Sequence, residues 1–409
     1  MLWAKWNRKQ SRKMKWTVLI GLGCLILMPA GWAQSGRDVR AHARRKPKPL
    51  PPVDVTRLVW PPPPEPARIA YLTQVMGERD LLGVKLKKPG WLERAAGITV
   101  QDEERPMLKR PYGVAVDSKG LIYVADSGQQ KVFVFDLEKK KLTFRGDKPP
   151  AHLGLVIGVA IDDKDRLFVS DAQAHQITCF DVSGNMVAVF GGDKLDRPAG
   201  MAVDNDLRRL YVADVTGTRL AIFDLDTLKF ARYINSQAPS KEEPHGILGT
   251  PTNVAVDPDG LVYVVDTIPN RVEVFDTDGN YVRGFGEEGN TAGKFARPKG
   301  IAIDSDGHVY VADDEFNNFQ IFTPEGQVLM AVGYFGPQPG QFLLLTGLAF
   351  GKQNRLVATD GGPVPRIEVF RYITDAEVQA AKDKAPKNES AGGAEAVAKT
   401  KVETTPEPK

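Results

Sequence analysis

Residues 252–286 read TNVAVDPDG-LVYVVDTIPN-RVEVFDTDG-NYVRGFG, and this stretch decides the fold. Four short runs rich in Val, Tyr and Phe alternate apolar with polar residues. Asp257–Gly260, Thr267–Asn270 and Asp276–Gly279 interrupt them. Asp-x-x-Gly between β-type runs is turn chemistry, because Asp bonds its own turn and Gly accepts positive φ. The pattern predicts an antiparallel meander with strands at 253–256, 261–265, 271–275 and 281–285.

The same unit recurs. Its opening strand aligns as Gly113-Val-Ala-Val-Asp, Gly158-Val-Ala-Ile-Asp, Gly200-Met-Ala-Val-Asp, Asn253-Val-Ala-Val-Asp, Gly300-Ile-Ala-Ile-Asp and Gly347-Leu-Ala-Phe-Gly, at offsets of 45, 42, 53, 47 and 47 residues. The second strand ends in an acid each time: Asp126, Asp171, Asp214, Asp266, Asp313 and Asp360. A period near 45 residues carrying four strands marks propeller blades, none of which can bury its faces without neighbours. The expected fold is all-β, a six-bladed β-propeller of four-stranded antiparallel blades.

The motif P-x-G-V-A-V-D, G-x-I-Y-V-A-D, N-R-V-x-V-F-D, G-x-x-x-x-x-F-G resembles the NHL repeat over about Arg110 to Phe370. That resemblance implies six blades. For function it implies a scaffold in most settings and an enzyme in a few. The sixth copy departs from the pattern: it lacks the acid after its first strand and carries Gly361-Gly362-Pro363 after its second.

Unit six supplies only three strands, at 347–350, 355–359 and 366–370. Upstream, Arg68–Val75 reads RIAYLTQV, an alternating strand standing alone. An open last blade would expose an unpaired edge, which natural sheets avoid. The closing strand, within 67–76, is therefore expected to pair antiparallel with 366–370 and complete a domain spanning 67–373. Between it and the repeats (110–373) lies 77–109, where Trp91, Leu92, Ala95, Ala96 and Ile98 recur at helical spacing. Thr374-Asp375-Ala376-Glu377 is a capping box, so 374–409 should begin with a short helix to about Lys384. Lys387–Lys409 has the composition of a disordered charged tail.

Residues 1–33 combine a basic start, an apolar run at Trp16–Met28 and small residues at Gly31 and Ala33, the pattern of a secretory signal cleaved near Ala33. A periplasmic or secreted protein is expected. An uncleaved anchor and a lipid on Cys24 are the alternatives. Residues 34–66 form a basic, Pro-rich linker: Arg37–Lys48 holds six basic residues against one acid, and prolines at 47, 49, 51, 52, 61–64 and 66 impose extended character. It reads as a stiff spacer or as a stem leaning on anionic lipid or an acidic partner.

The formal charge of +3 over 409 residues, with its densest basic run in the linker, argues against nucleic acid. Of the two cysteines, Cys179 falls in a third strand and reads as a small buried hydrophobe.

In such blades the start of the first strand and the end of the second reach the same face, at the mouth of the central channel. The six aspartates read either as carboxylates for a cation or as six copies of a turn-bonding acid; repetition in phase favours the second, a structural acid ring. Arg110, Arg197 and Arg297 precede units one, three and five, with Lys299 nearby, where units two, four and six carry Leu155-Val156, Thr250-Pro251 and Leu344-Leu345. They either neutralise the aspartates or form a basic mouth for an acidic partner. Asn253 stands where the five sister units have Gly. His152, His175 and His245 belong to the mouth face and His308 to the opposite one, with no metal-ligand spacing among them. No nucleophile elbow, haem motif or phosphate-cradling loop is present. No cofactor, metal or catalytic residue is expected. The residues favour an exported, non-catalytic binding scaffold for a protein or cell-envelope ligand; the alternative is a propeller hydrolase or lyase with its site at the mouth.

Overall fold

The structure, a computed structural model, describes residues 53–84, 105–234 and 246–384. The leader, the basic run, the expected helix near Trp91, His245 and the charged tail lie outside them. Six antiparallel sheets follow one another. The strands of blade four are Pro251–Val256, Val262–Asp266, Arg271–Phe275 and Tyr281–Phe285, within two residues of the expected bounds. Its turns form as the sequence implies. The Asp257 and Asp276 carboxylates accept N–H bonds from Leu261 and Asn280, each at 2.8 Å, while Gly260 and Gly279 take φ of 84° and 87°.

Stability resides between blades. Each apolar cluster joins two neighbours; Tyr263 and Val265 of blade four, for example, pack with Val309 and Val311 of blade five. Second strands are therefore buried along their whole length, whereas the outer strand Met186–Phe190 is exposed at alternate positions. Cys179 lies in this core, its thiol pushed up to about 11 by burial, and serves as an inert filler.

The ring closes through the chain's opposite ends. Ile69–Val75 pairs antiparallel with Arg366–Tyr372, Ile69 facing Tyr372 and Val75 facing Ile367. A further edge strand, Val59–Trp60, pairs with it, making blade six five-stranded. Residues 53–66 are thus no free spacer in the described structure. Val55, Leu58 and Trp60 pack on the core between blades five and six, with the Trp60 and Phe370 rings 5.9 Å apart. The prolines at 51–52 and 61–64 disguise this contact, because they flank the stretch closely and its two-residue strand is too short to show alternation. A short helix, Glu78–Leu82, follows the closing strand and sets Leu81 into the interface of blades six and one. At the other end the Thr374–Glu377 capping box forms and starts the helix Asp375–Lys384.

First strands meet in cyclic order around the axis. They approach so closely that glycine is a packing requirement. A Cβ on Gly158 would lie 2.1 Å from the Ala199 carbonyl oxygen, and one on Gly347 would lie 2.3 Å from that of Tyr112. Gly158→Val should force blades two and three apart and lower stability by about 1–3 kcal/mol or more. Gly192→Val, where no atom lies within 4 Å, should leave the melting midpoint nearly unchanged. Equal midpoints for the two variants in a thermal melt would refute the close-contact argument.

Candidate ligand-binding mouth

Each first strand begins opposite the aspartate that ends the second: Pro111 with Asp126, Val156 with Asp171, Pro198 with Asp214, Pro251 with Asp266, Pro298 with Asp313 and Leu345 with Asp360. All six aspartates are fully buried. Their oxygens are occupied by backbone N–H groups from the segment entering their own blade. Asp126 accepts from Lys109 and Arg110, Asp171 from Gly154 and Leu155, and Asp313 from Ala296 and Arg297. Asp126, Asp171 and Asp313 also accept from the turn after their strand, as Asp126 does from Gly128 and Gln129. Each therefore ties a connecting segment to the end of its own sheet.

Where an arginine does meet this set, it is the residue directly across the hairpin. Arg219 pairs with Asp214 at 3.1 Å and Arg366 with Asp360 at 3.2 Å. The guanidinium groups of Arg110 and Arg197 are exposed and have no protein partner among the described residues, although their backbone N–H groups bind Asp126 and Asp214. Arg297 is half exposed; its Nε lies 2.9 Å from the Asp314 carboxylate as an ion pair, and its hydrogen bond goes to Glu315.

Asp314 is the mouth residue that the sequence reading missed. It is buried, and burial, the dominant cause, pushes its carboxyl up to about 6. The position after the strand-ending acid reads Ser127, Ala172, Val215, Thr267, Asp314 and Gly361, so one charged residue among six was the available signal. The pairing register shifts just after the start of every first strand, between Pro111 and Val114 in blade one and between Pro298 and Ile301 in blade five, and the residue that follows the strand's first one lies within the shift. Such bulges redirect side chains. In blade five that residue is Lys299, whose ammonium is pulled down chiefly by burial. It feels Asp314, Arg297 and also Arg197 of blade three. Tyr112, its counterpart in blade one, is pushed up to about 12 by burial and by Asp314, with Arg197 acting oppositely. Blades one, three and five thus converge their polar groups on one spot at the mouth.

Beneath that spot the channel is closed. Its cavity measures about 40 Å³, lined by the first-strand glycines, and the Asn253 side chain fills the space a Gly200 side chain would need. Asn253 therefore lies inside the channel rather than on its rim. The volume suits about one water, not a substrate. His152 is exposed in a connecting segment, and His175 contacts the Asp196 carbonyl. Among the described residues no three His, Cys, Asp or Glu side chains are grouped to hold a metal ion.

These features define a six-bladed β-propeller with a plugged channel and a polar mouth. The chain carries NHL repeats: the NHL repeat family model matches residues 108–135 and 295–323. No curated protein matches the chain in sequence. Among solved structures, a protein of unknown function from Bacteroides thetaiotaomicron is similar, with a TM-score of 0.53 and 14% identity over 64% of this chain and 70% of that one. A gluconolactonase from Xanthomonas campestris aligns at a TM-score of 0.49 and 19% identity, covering 64% and 86%. Virginiamycin B lyase from Staphylococcus aureus aligns at 0.48 and 14%, covering 65% and 96%. At such identities the likeness is one of fold.

Proposed function

We propose that the protein is an exported, non-catalytic binding scaffold whose mouth receives an acidic group of a protein or envelope partner. The observation that carries this reading is that Lys299 and Arg197, from different blades, lie within electrostatic reach of each other above a closed channel, with Arg110 also unpaired among the described residues. A half-buried ammonium beside two guanidinium groups is held at a cost in desolvation and like-charge repulsion. A carboxylate arriving from outside relieves both terms. Asp314 supplies only part of that charge, being itself paired to Arg297. The basic stem at 37–48 and the signal-like leader support a place at the outer side of the inner membrane.

Affinity capture from the native envelope tests the reading. The wild-type protein should retain a stoichiometric partner that is released as salt shortens the Debye length below about 8 Å. Arg197→Ala combined with Lys299→Ala should weaken retention at least about tenfold, the loss of one desolvated charge contact. Undiminished, salt-insensitive retention by the double variant would overturn the proposal.

A further inference from the structure

A second space lies on the flank between blades five and six, towards the end opposite the mouth. This cavity of about 570 Å³ has one apolar wall from Ile321, Leu329 and Met330 of blade five. Pro61, Glu65 and Pro66 of the packed N-terminal segment form the other, and the tyrosines Tyr310 and Tyr372 complete it. The volume is that of a site for a small organic molecule.

Its hydrogen-bonding character is one-sided. The Tyr310 hydroxyl donates to Asp304 Oδ2 at 2.9 Å and the Tyr372 hydroxyl to Asp306 Oδ2 at 2.7 Å. With their protons so committed, the phenol oxygens offer a ligand lone pairs only. His308 is fixed through Nδ1, 3.0 Å from Asp304 Oδ2, which leaves Nε2 without a partner among the described residues. Glu65 is exposed, and its carboxylate has no partner among the described residues. Arg68, the one arginine or lysine of the lining, is engaged by Asp375. Glu65 and Asp375 in the wall and Asp304 and Asp306 behind it make four carboxylates. Against them stand Arg68 and, when protonated, His308, so the acids remain in excess by two.

An anion here would meet acceptors and like charge. A neutral apolar molecule would leave the Glu65 carboxylate unanswered. A cation with N–H donors or a diffuse charge satisfies the Glu65 oxygens and the tyrosine rings, while an apolar body covers the Leu329 and Met330 wall. We propose that this flank cavity is a binding site for a small organic ammonium ion carrying an apolar or aromatic body.

Calorimetric titration of the full chain tests this with phenethylammonium as probe and phenethyl alcohol and phenylacetate as its neutral and anionic counterparts. Phenethylammonium should bind saturably, about tenfold or more tighter than the alcohol, the scale of one desolvated cation–π or charge-assisted contact. Phenylacetate should not bind. Glu65→Gln should weaken the ammonium severalfold, and Leu329→Arg, which sets a cation at a half-exposed rim position, should abolish binding while the melting midpoint is kept. Arg197→Ala should leave this binding untouched, separating the flank site from the mouth. The proposal is overturned by absence of ammonium binding, by equal affinity for the alcohol or phenylacetate, or by binding that survives both flank variants or depends on Arg197.

Discussion

Deletion of residues 68–75 should abolish the cooperative unfolding transition of the whole domain. The strand is short, yet it seals two interfaces. Ile69 and Tyr71 belong to the core between blades five and six, and Val75 to that between blades six and one. Their exposures are 0%, 6% and 5%, and Tyr71 meets the Phe370 ring edge-on at 5.5 Å. Burying three such side chains stabilises by about 1.5–3 kcal/mol each. Their loss adds cavities and an unpaired edge along Arg366–Tyr372. The sum approaches the whole stability of an ordinary domain, about 5–15 kcal/mol. Residues 375–409 provide the control. Within their described part only Val378 is a buried hydrophobe, and the ion pairs to Arg68 and Arg371 are solvent-exposed. That deletion should shift the melting midpoint slightly. Similar, mild shifts for both truncations in calorimetry would mean the closing strand does not hold the ring.

Arg366→Ala should be the most damaging single substitution among the charged residues described here. Its side chain is 1% exposed, beside Asp360 and Glu368 at 0%. It donates to the Pro337 and Gln341 carbonyls at 2.7 and 2.6 Å and lies 2.8 Å from Glu368. Removing it strands two buried carboxylates, for which about 3–5 kcal/mol is expected. Arg297→Ala removes a half-exposed guanidinium and leaves the buried Asp314 beside Lys299, so it should cost less, about 1 kcal/mol. Denaturant titration decides, and equal losses would refute the argument from burial. A pH series adds a sign. Burial pushes the Glu368 carboxyl up from 4.5 to about 7, Arg366 opposing it. The folded chain therefore holds a proton that the unfolded chain has released. This group's contribution is most favourable below pH 4.5 and is lost as pH rises through about 7. Glu368→Gln should flatten that part of the stability curve, and an unchanged slope would show that Glu368 is ionised throughout.

The residues that closed the ring were readable because alternation survives in RIAYLTQV, and because an incomplete sixth unit demands a strand. Val59–Trp60 was not readable, since a strand of two residues ending at Pro61 has no period. Only the open edge of the closing strand makes them a strand. The same division holds at the mouth. Sequence phase placed Arg110, Arg197, Arg297 and Lys299 at one end of the blades, but it could not rank them. Arg297 finds Asp314 within its own blade, Lys299 of blade five feels the charge of Arg197 from blade three, and Arg110 acts on neither. The arginines that neutralise the buried acids open third strands, at Arg219 and Arg366, a position set by hairpin register.

The amino-acid sequence by itself determined the blade count, the turns, the buried acid of each blade and the closing strand, because each follows from interactions within one unit that recurs at a fixed period. The closed channel, the pairing of each mouth cation and the flank cavity were decided only by the tertiary structure. They arise where side chains of different blades approach one another, and that distance is set by how tightly the glycine-bearing first strands pack around the axis, or, on the flank, by where the N-terminal segment is laid across two blades.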